Sequence, residues 1–294
     1  MAELFWKRVK KNRYGYLFLL PFLGFFFVFH IFPVGYSLFL SLHRWNGFSA
    51  MRYVGAAHFL KVIQTARFLN ALKNVLYLWG VGTPLLVASA LIGAAVLNSP
   101  TIRGRSFFRG VFFFPYVLMV VLVAAIFSLV LDTNYGLMNS LLNKIGIESI
   151  RWLDSTAWSK ISVIIVTTWR WAGYWMIIFL AGLQGISPAL YEAARIDGAG
   201  SLKLFWHITL PLIRPILFFV ILMNSIGAFK AFATPYVLTG RTGEPIHSSE
   251  TLVMYIYNVS FEYYRLGYAS AACWIVFLMI LGVSLIQLKY RRSR

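Results

Sequence analysis

Residues 14–42 read YGYLFLLPFLGFFFVFHIFPVGYSLFLSL, a run without a single lysine, arginine, aspartate or glutamate. A helix rises about 1.5 Å per residue, so about 20 apolar residues cross a hydrocarbon core about 30 Å thick. This run is long enough to do so with turns to spare. It is also far longer than the apolar core of about 7–15 residues in a removable signal peptide, and no small-residue cleavage site follows it. It therefore reads as a first membrane span, preceded by Lys7, Arg8, Lys10, Lys11 and Arg13.

Five further runs of comparable length follow at 74–97, 110–131, 161–183, 216–238 and 266–288. Only two hold an ionised side chain: Arg170 in the fourth and Lys230 in the fifth. Pro21, Pro33, Pro84, Pro115 and Pro235 fall inside or near the ends of the runs, where a span tolerates them as kinks. Composition agrees. Of 294 residues, 60% are hydrophobic and 12% charged, against about 45–50% and about 25% in soluble domains. The expected fold is an all-α membrane protein with about six transmembrane helices. A helix–turn–helix joins spans four and five.

The formal charge of +18 does not point to nucleic acid, because the cations lie between apolar runs rather than on one soluble face. They suit a bilayer with anionic lipid. Counted by side, the first tail and the connections 98–109, 184–215 and the tail from 289 carry about twice the Lys and Arg density of 43–73, 132–160 and 239–265. The positive-inside rule then places both termini and the 184–215 connection in the cytoplasm. The domains expected are a cytoplasmic tail 1–13, a membrane domain 14–288 and a cytoplasmic tail 289–294. On the outer side, Phe59, Val62, Ile63, Ala66 and Leu69 fall at helical spacing, fitting an amphipathic helix on the membrane surface or packed on protein. A single cysteine, Cys273, excludes an internal disulfide or a cysteine-based metal site.

The connection 184–215 has local signals of its own. Ser187-Pro188 opens a helix, with serine as cap and proline at the first position. Alanine, leucine, glutamate and arginine favour helix through Ile196, and Gly198-Ala199-Gly200 breaks it. Ser201 can cap a second helix that Pro211 is expected to end. The residues alone fit either an interfacial helix pair packed on its own bundle or a docking element for a cytoplasmic partner.

The same stretch resembles the signature of permease subunits of binding-protein-dependent ATP-binding-cassette importers. Glu192-Ala193-Ala194, Gly198, Ile208 and Leu210-Pro211 stand at every fixed position, and both spacings match. Further resemblance lies in Arg52-Tyr53-Val54-Gly55, Phe114-Pro115-Tyr116, Asn134-Tyr135-Gly136, Glu250-Thr251-Leu252 and Gly267-Tyr268-Ala269. Together these resemble the carbohydrate-uptake branch, on the side of the maltose, lactose and glycerol-phosphate permeases that is similar to the maltose system's larger subunit. The resemblance implies a bacterial cytoplasmic-membrane protein that is not itself an enzyme. It implies an ATPase-coupling loop built on Glu192, Ala193, Ala194, Asp197, Gly198, Ile208, Leu210 and Pro211. Its implied partners are a second homologous permease, a dimer of ATP-binding subunits and an extracytoplasmic solute-binding protein. No phosphate-binding G-x-x-x-x-G-K-[ST] loop occurs, so ATP and magnesium are expected on the partner ATPase and no cofactor on this chain. One docking loop implies half a pathway, completed by a related permease or a copy of this chain.

Arg170 and Lys230 mark a possible solute path, since ions inside a span are costly. Each has a plain alternative: Arg170 can donate to a carbonyl of a neighbouring helix, and Lys230 can snorkel to the outer interface. Around them stand Trp169, Trp171, Tyr174 and Trp175, then Asn224 and Gly227. Aromatic faces with interleaved polar groups suit a pyranose, neutral or acidic, although each tryptophan also suits lipid or helix packing. By resemblance to the maltose permease, the region of Trp171, Tyr174, Asn224 and Gly227 faces the central cavity. The rival class is an ion-gradient-driven secondary transporter. That class places carboxylates inside its spans, whereas all nine acids here lie outside them. A membrane enzyme fits less well still, because the five histidines are scattered.

Overall fold

A computed structural model describes residues 13–99 and 102–292. The basic residues Lys7, Arg8, Lys10 and Lys11 of the N-terminal tail lie outside them. The elements run α1 (Arg13–Phe26), a wide π turn (Phe27–Ile31), α2 (Phe32–Ser41), β1 (His43–Arg44), β2 (Arg52–Tyr53), α3 (Ala57–Gln64) and α4 (Ala66–Asn98). Then follow α5 (Arg105–Val117), α6 (Val120–Val130), α7 (Leu137–Lys144), α8 (Trp158–Gln184) and α9 (Pro188–Ile196). The last are α10 (Ser201–Leu204), a second π turn (Phe205–Thr209), α11 (Leu210–Phe229), α12 (Ala233–Leu238), α13 (Leu252–Phe261) and α14 (Leu266–Arg292). Five helices, Leu17–Ser41, Ala66–Asn98, Trp158–Gln184, Ser201–Phe229 and Leu266–Lys289, are long and apolar enough to cross a membrane. The pair α5 and α6 makes a sixth if its 95° bend belongs to one span. The chain is thus all-α and polytopic.

Two compact units emerge. One comprises residues up to Val62 with Val259–Ile275; the other comprises Ile63–Asn258 with the chain from Val276. In the first unit, the Leu17–Ser41 helix carries aromatic rings one turn apart. Phe22–Phe26 and Phe25–Phe29 stack at 6.1 and 6.0 Å, on a helix whose apolar window is 0% buried. Neighbours at i and i+4 share a face, so these rings form a continuous apolar stripe. Beyond Leu42 the chain makes a two-residue antiparallel ladder, His43 with Tyr53 and Arg44 with Arg52. The start of α14 seats on it: a Cβ at Gly267 would lie 1.8 Å from the His43 carbonyl oxygen.

The second unit is held by small residues at helix crossings, the usual solution where lipid supplies no hydrophobic drive between helices. A Cβ at Gly173 of α8 would lie 1.7 Å from the Phe112 carbonyl oxygen of α5. One at Gly182 would lie 2.2 Å from Ile216 Cδ1 of α11. The core between α4, α8 and α11 contains Leu86, Ala90, Ala94, Trp175, Met176, Phe179 and Val220. Polar contacts add to it: Trp79 Nε1 of α4 and Gln287 Nε2 of α14 both donate to Ser225 Oγ of α11 at 2.8 Å. At one end of α4, Arg67 donates twice to the fully buried Glu250, Nε to Oε2 at 2.8 Å and Nη2 to Oε1 at 2.6 Å. Asn74 Nδ2 donates to the Glu250 and His247 carbonyls at 3.0 and 2.9 Å. The segment before α13 is thereby tied to the start of α4.

Four expectations need correction. The run 110–131 is not one helix: Leu118 and Met119 are extended, with ψ of 144° and 129°, and no glycine or proline stands at the break. The run 216–238 is not one helix either. Helix runs from Ser201 to Phe229, Lys230 closes it as C-cap, and a short helix Ala233–Leu238 follows. Pro211 does not end the helix that begins at Ser201. The π turn Phe205–Thr209 stops two residues before it, as the turn Phe27–Ile31 stops two residues before Pro33. A proline lacks the N–H and crowds the carbonyl four residues back, and a widened turn relieves both. The amphipathic run Phe59–Leu69 is likewise two helices, broken at the extended Thr65, with Val62 fully buried.

Candidate functional site

Within the second unit, α4, α8, the end of α11 and the α5–α6 break enclose a cavity of about 510 Å³. All six candidates, Arg170, Trp171, Tyr174, Asn224, Gly227 and Lys230, line it. Helical spacing explains half of this: Arg170, Trp171 and Tyr174 sit at i, i+1 and i+4 on one side of α8. The other half is tertiary, since α11 ends at Phe229 and turns Lys230 and the residues after it across the opening.

The α5–α6 break supplies a further wall. Tyr116 lies at the end of α5, and its ring stacks on Tyr174 at 4.6 Å and meets Trp171 edge-on at 5.1 Å. The break leaves the last carbonyls of α5 without partners one turn on. Arg170 Nη2 donates to one of them, the Tyr116 oxygen, at 3.4 Å. Its guanidinium carbon lies 5.8 Å from the Tyr116 ring centre and 5.3 Å from that of Trp171. The plain alternative for Arg170 therefore holds in part: it does satisfy a neighbouring helix. Its Nε is buried without a partner among the described residues, as is Trp175 Nε1 on the same cavity wall. Asn224 spends its amide N–H on the Val220 carbonyl, which leaves its oxygen for the cavity.

The arrangement offers donors in excess. Among the described residues, every charged side chain lining the cavity is a cation, Arg170 or Lys230, and none is an acid. Ring faces take the apolar C–H face of a sugar, and Arg170, Lys230 and Trp175 supply donors for hydroxyl or carboxylate oxygens. Trp169 is apart from this: it packs edge-on against Phe127 at 5.1 Å and does not line the cavity. Residues not singled out from the sequence also line it, among them Thr83, Thr167, Thr168 and Thr234. Thr167-Thr168, a hydroxyl pair one turn before Trp171 in an apolar helix, was the available signal.

The helix–turn–helix forms largely where the sequence places it. Ser187 is extended at the N-cap position, without a side-chain cap bond, and Pro188 opens α9. At the other end, Gly198 takes φ +76°. Its N–H donates to the Arg195 carbonyl at 3.0 Å, and that of Ala199 to the Ala194 carbonyl at 2.9 Å. This pair of bonds with a left-handed glycine is a Schellman closure, and it is why glycine stands there. Gly200, rather than Ser201, occupies the next N-cap position. Tyr191 Oη and Thr209 Oγ1, 3.0 Å apart, join the two helices. Glu192, Ala193, Asp197 and Gly198 are exposed, while Ala194, Ile208 and Leu210 are half-buried and Pro211 is exposed at the start of α11. Large apolar side chains on the same segment stand open as well, Ile196 at 87% and Leu202 at 73%.

Long apolar helices of membrane-crossing length, three of them (α4, α8 and α11) lining a largely apolar cavity that carries a few polar and cationic groups, fit a membrane transport component. Residues 86–294 match the family of binding-protein-dependent transport system inner membrane components, and the chain belongs to that family. It is 35% identical over 283 residues to the lactose transport system permease protein of Rhizobium radiobacter, covering 95% of this chain and 94% of that one. It is 31% identical over 291 residues to a trehalose/maltose transport system permease protein of Thermococcus litoralis, covering 98% and 96%. Among solved structures, it superposes on a chain of a bacterial ABC transporter involved in import of the acidic polysaccharide alginate. The TM-score is 0.83 at 26% identity, covering 98% of both chains.

Proposed function

We propose that this chain is the permease subunit of an ATP-binding-cassette importer for a sugar, oligosaccharide or acidic saccharide, and that it forms half of the pathway. The lactose and trehalose/maltose permeases and the alginate importer it is similar to support the substrate class. The observation that carries the reading is the exposed helix–turn–helix, whose fixed residues Glu192, Gly198 and Leu210-Pro211 present a closed turn flanked by uncovered apolar side chains. That surface fits a groove on a separate ATPase, so that movement of the ATPase reaches α11 through the continuous helix Ser201–Phe229. ATP and magnesium act on that partner.

The remaining parts follow from the family and the charge distribution. A second, related permease completes the pathway, two ATP-binding subunits drive it, and an extracytoplasmic binding protein delivers solute. An alginate transporter complex with an oligosaccharide-bound periplasmic protein, to which the chain is also similar at TM-score 0.81, supports the last of these. Both termini and the segment 184–215 lie on the cytoplasmic side. The domain boundaries 1–13, 14–288 and 289–294 follow from the same reading.

The test is transport by the reconstituted importer. Arg170→Met and Lys230→Met are expected to lower solute uptake several-fold while subunit assembly and basal ATP hydrolysis persist. ATP hydrolysis is expected only when the partner subunits are present. Solute uptake by the isolated chain under an ion gradient alone would favour the secondary-transporter reading and reject this one.

A further inference from the structure

The first unit contains a second pocket, of about 550 Å³, that plays no part in the cavity just described. Its walls come from the segment after the first span, from α3, and from the residues around the start of α14. Among the described residues, every charged side chain on it is basic: Arg44, Lys61 and Arg265. No acid pairs with Arg44 or Arg265 among the described residues. The rest of the lining is dominated by rings, Trp45, Tyr263, Tyr264 and Tyr268.

The walls are fixed to one another. The ladder His43–Tyr53 holds one side, the Gly267 N–H donates to the Trp45 carbonyl at 3.4 Å, and Gly267 itself closes on the His43 carbonyl. Tyr264 sits at φ +50°, a backbone state unusual for a ringed residue, of the kind that collects at binding sites. Its ring meets Phe48 at 6.2 Å. His58 is buried, lies edge-on to Tyr268 at 5.9 Å, and is held below its usual pKa, first by burial and further by Arg44 and Lys61. The two cations add to burial in disfavouring a charge on this ring. The oxygen of Asn46 accepts from the Phe48 and Ser49 N–H groups, leaving its amide N–H₂ as a further donor at the rim.

We propose that this pocket binds a sugar ring carrying a carboxylate, the acidic end of a saccharide, at a site separate from the transmembrane cavity. The guanidinium groups hold the carboxylate as two-pronged donors, and the tryptophan and tyrosine faces take the ring. A lipid headgroup is the lesser match. Its glycerol offers no ring to stack, and Val54 and Ala57 are the aliphatic residues of the lining, too few to seat an acyl chain. This inference rests on the saccharide-importer reading.

The experiment uses the chain co-purified with its partner subunits in phosphatidylcholine nanodiscs, and a photoreactive hexuronate trisaccharide mapped by mass spectrometry. Label is expected on Trp45, Tyr263 or Tyr264, displaced by unlabelled hexuronate and about tenfold less well by a neutral hexose trisaccharide. The double replacement of Arg44 and Arg265 by Gln should reduce that label about tenfold and leave cavity label at Trp171 and Tyr174 unchanged. Ala57→Trp, which fills the pocket from an exposed position, should abolish it. Label in the cavity alone, or pocket label indifferent to both arginines, overturns the second site while the importer reading stands. Displacement by phosphatidylglycerol but not by hexuronate assigns the pocket to lipid and overturns it too. Label in neither place rejects the acidic-saccharide class together with the site.

Discussion

Replacing Gly198 separates the strain inside this chain from loss of contact with a partner. At φ +76°, any residue with a Cβ pays about 1–2 kcal/mol to adopt the turn. That lowers the population of the closed turn about 5- to 30-fold relative to its alternatives. The cost is the same for alanine and tryptophan, because nothing lies within 4 Å of a Cβ built at this position. The position is exposed, and the first carbon of either side chain meets nothing within the described residues. A size-dependent effect must therefore come from a surface that the chain does not contain. Gly198→Ala should reduce uptake modestly, and Gly198→Trp by at least a further tenfold, with the protein still inserted in the membrane. The assay is solute uptake in proteoliposomes, with ATP hydrolysis and subunit co-purification measured on the same preparations. If both variants transport as the unaltered protein does, or lose the same amount, the segment does not dock and the loss is confined to the turn.

Other outcomes follow from buried groups and close approaches. Arg67→Met removes the two short donors of the fully buried Glu250 carboxylate, leaving it the longer contacts to Asn258 Nδ2 at 3.3 Å and His247 Nδ1 at 3.4 Å, and should cost about 3–5 kcal/mol, read as a large fall in the melting temperature of the purified complex. Pairing it with Glu250→Gln should recover part of that loss. Gly173→Val pushes a side chain into the Phe112 carbonyl and should reduce assembled protein sharply, measured by detergent-resistant complex on size exclusion. Gly15→Val, where nothing lies nearby, should not. Topology is read with single cysteines at the exposed positions Ser201 and Tyr135 in a Cys273→Ala background. An impermeant thiol reagent added to intact cells should label only the cysteine at position 135. Equal labelling of both would overturn the orientation. Ser248 makes a poor reporter, since it is buried against Ser159 at 3.0 Å.

Much of the fold was legible from residue order because its signals are local. Apolar runs of span length, the scarcity of charge within them and the excess of Lys and Arg on alternate connections are properties of contiguous sequence. So are the helix at Pro188–Ile196 and its stop at Gly198, since capping and left-handed glycine act within one turn. Where helices break was less legible. Leu118-Met119 carries no breaker, and the continuation of helix past Pro211 depends on a widened turn that the residue string does not announce. The six path candidates were legible as polar or ringed residues in apolar runs. That they meet in one cavity was not, because α8 and α11 come together through Gly182 and Ile216 and not through any neighbouring residue. Tyr116 reaches Arg170 only across the α5–α6 break, and Arg67 reaches Glu250 across 183 residues of chain. Periodicity and composition record what a segment does with its own neighbours and its solvent. Contacts between distant segments leave no period, so only the tertiary structure decided which cation faces a ring, which faces a carboxylate and which is left for a ligand.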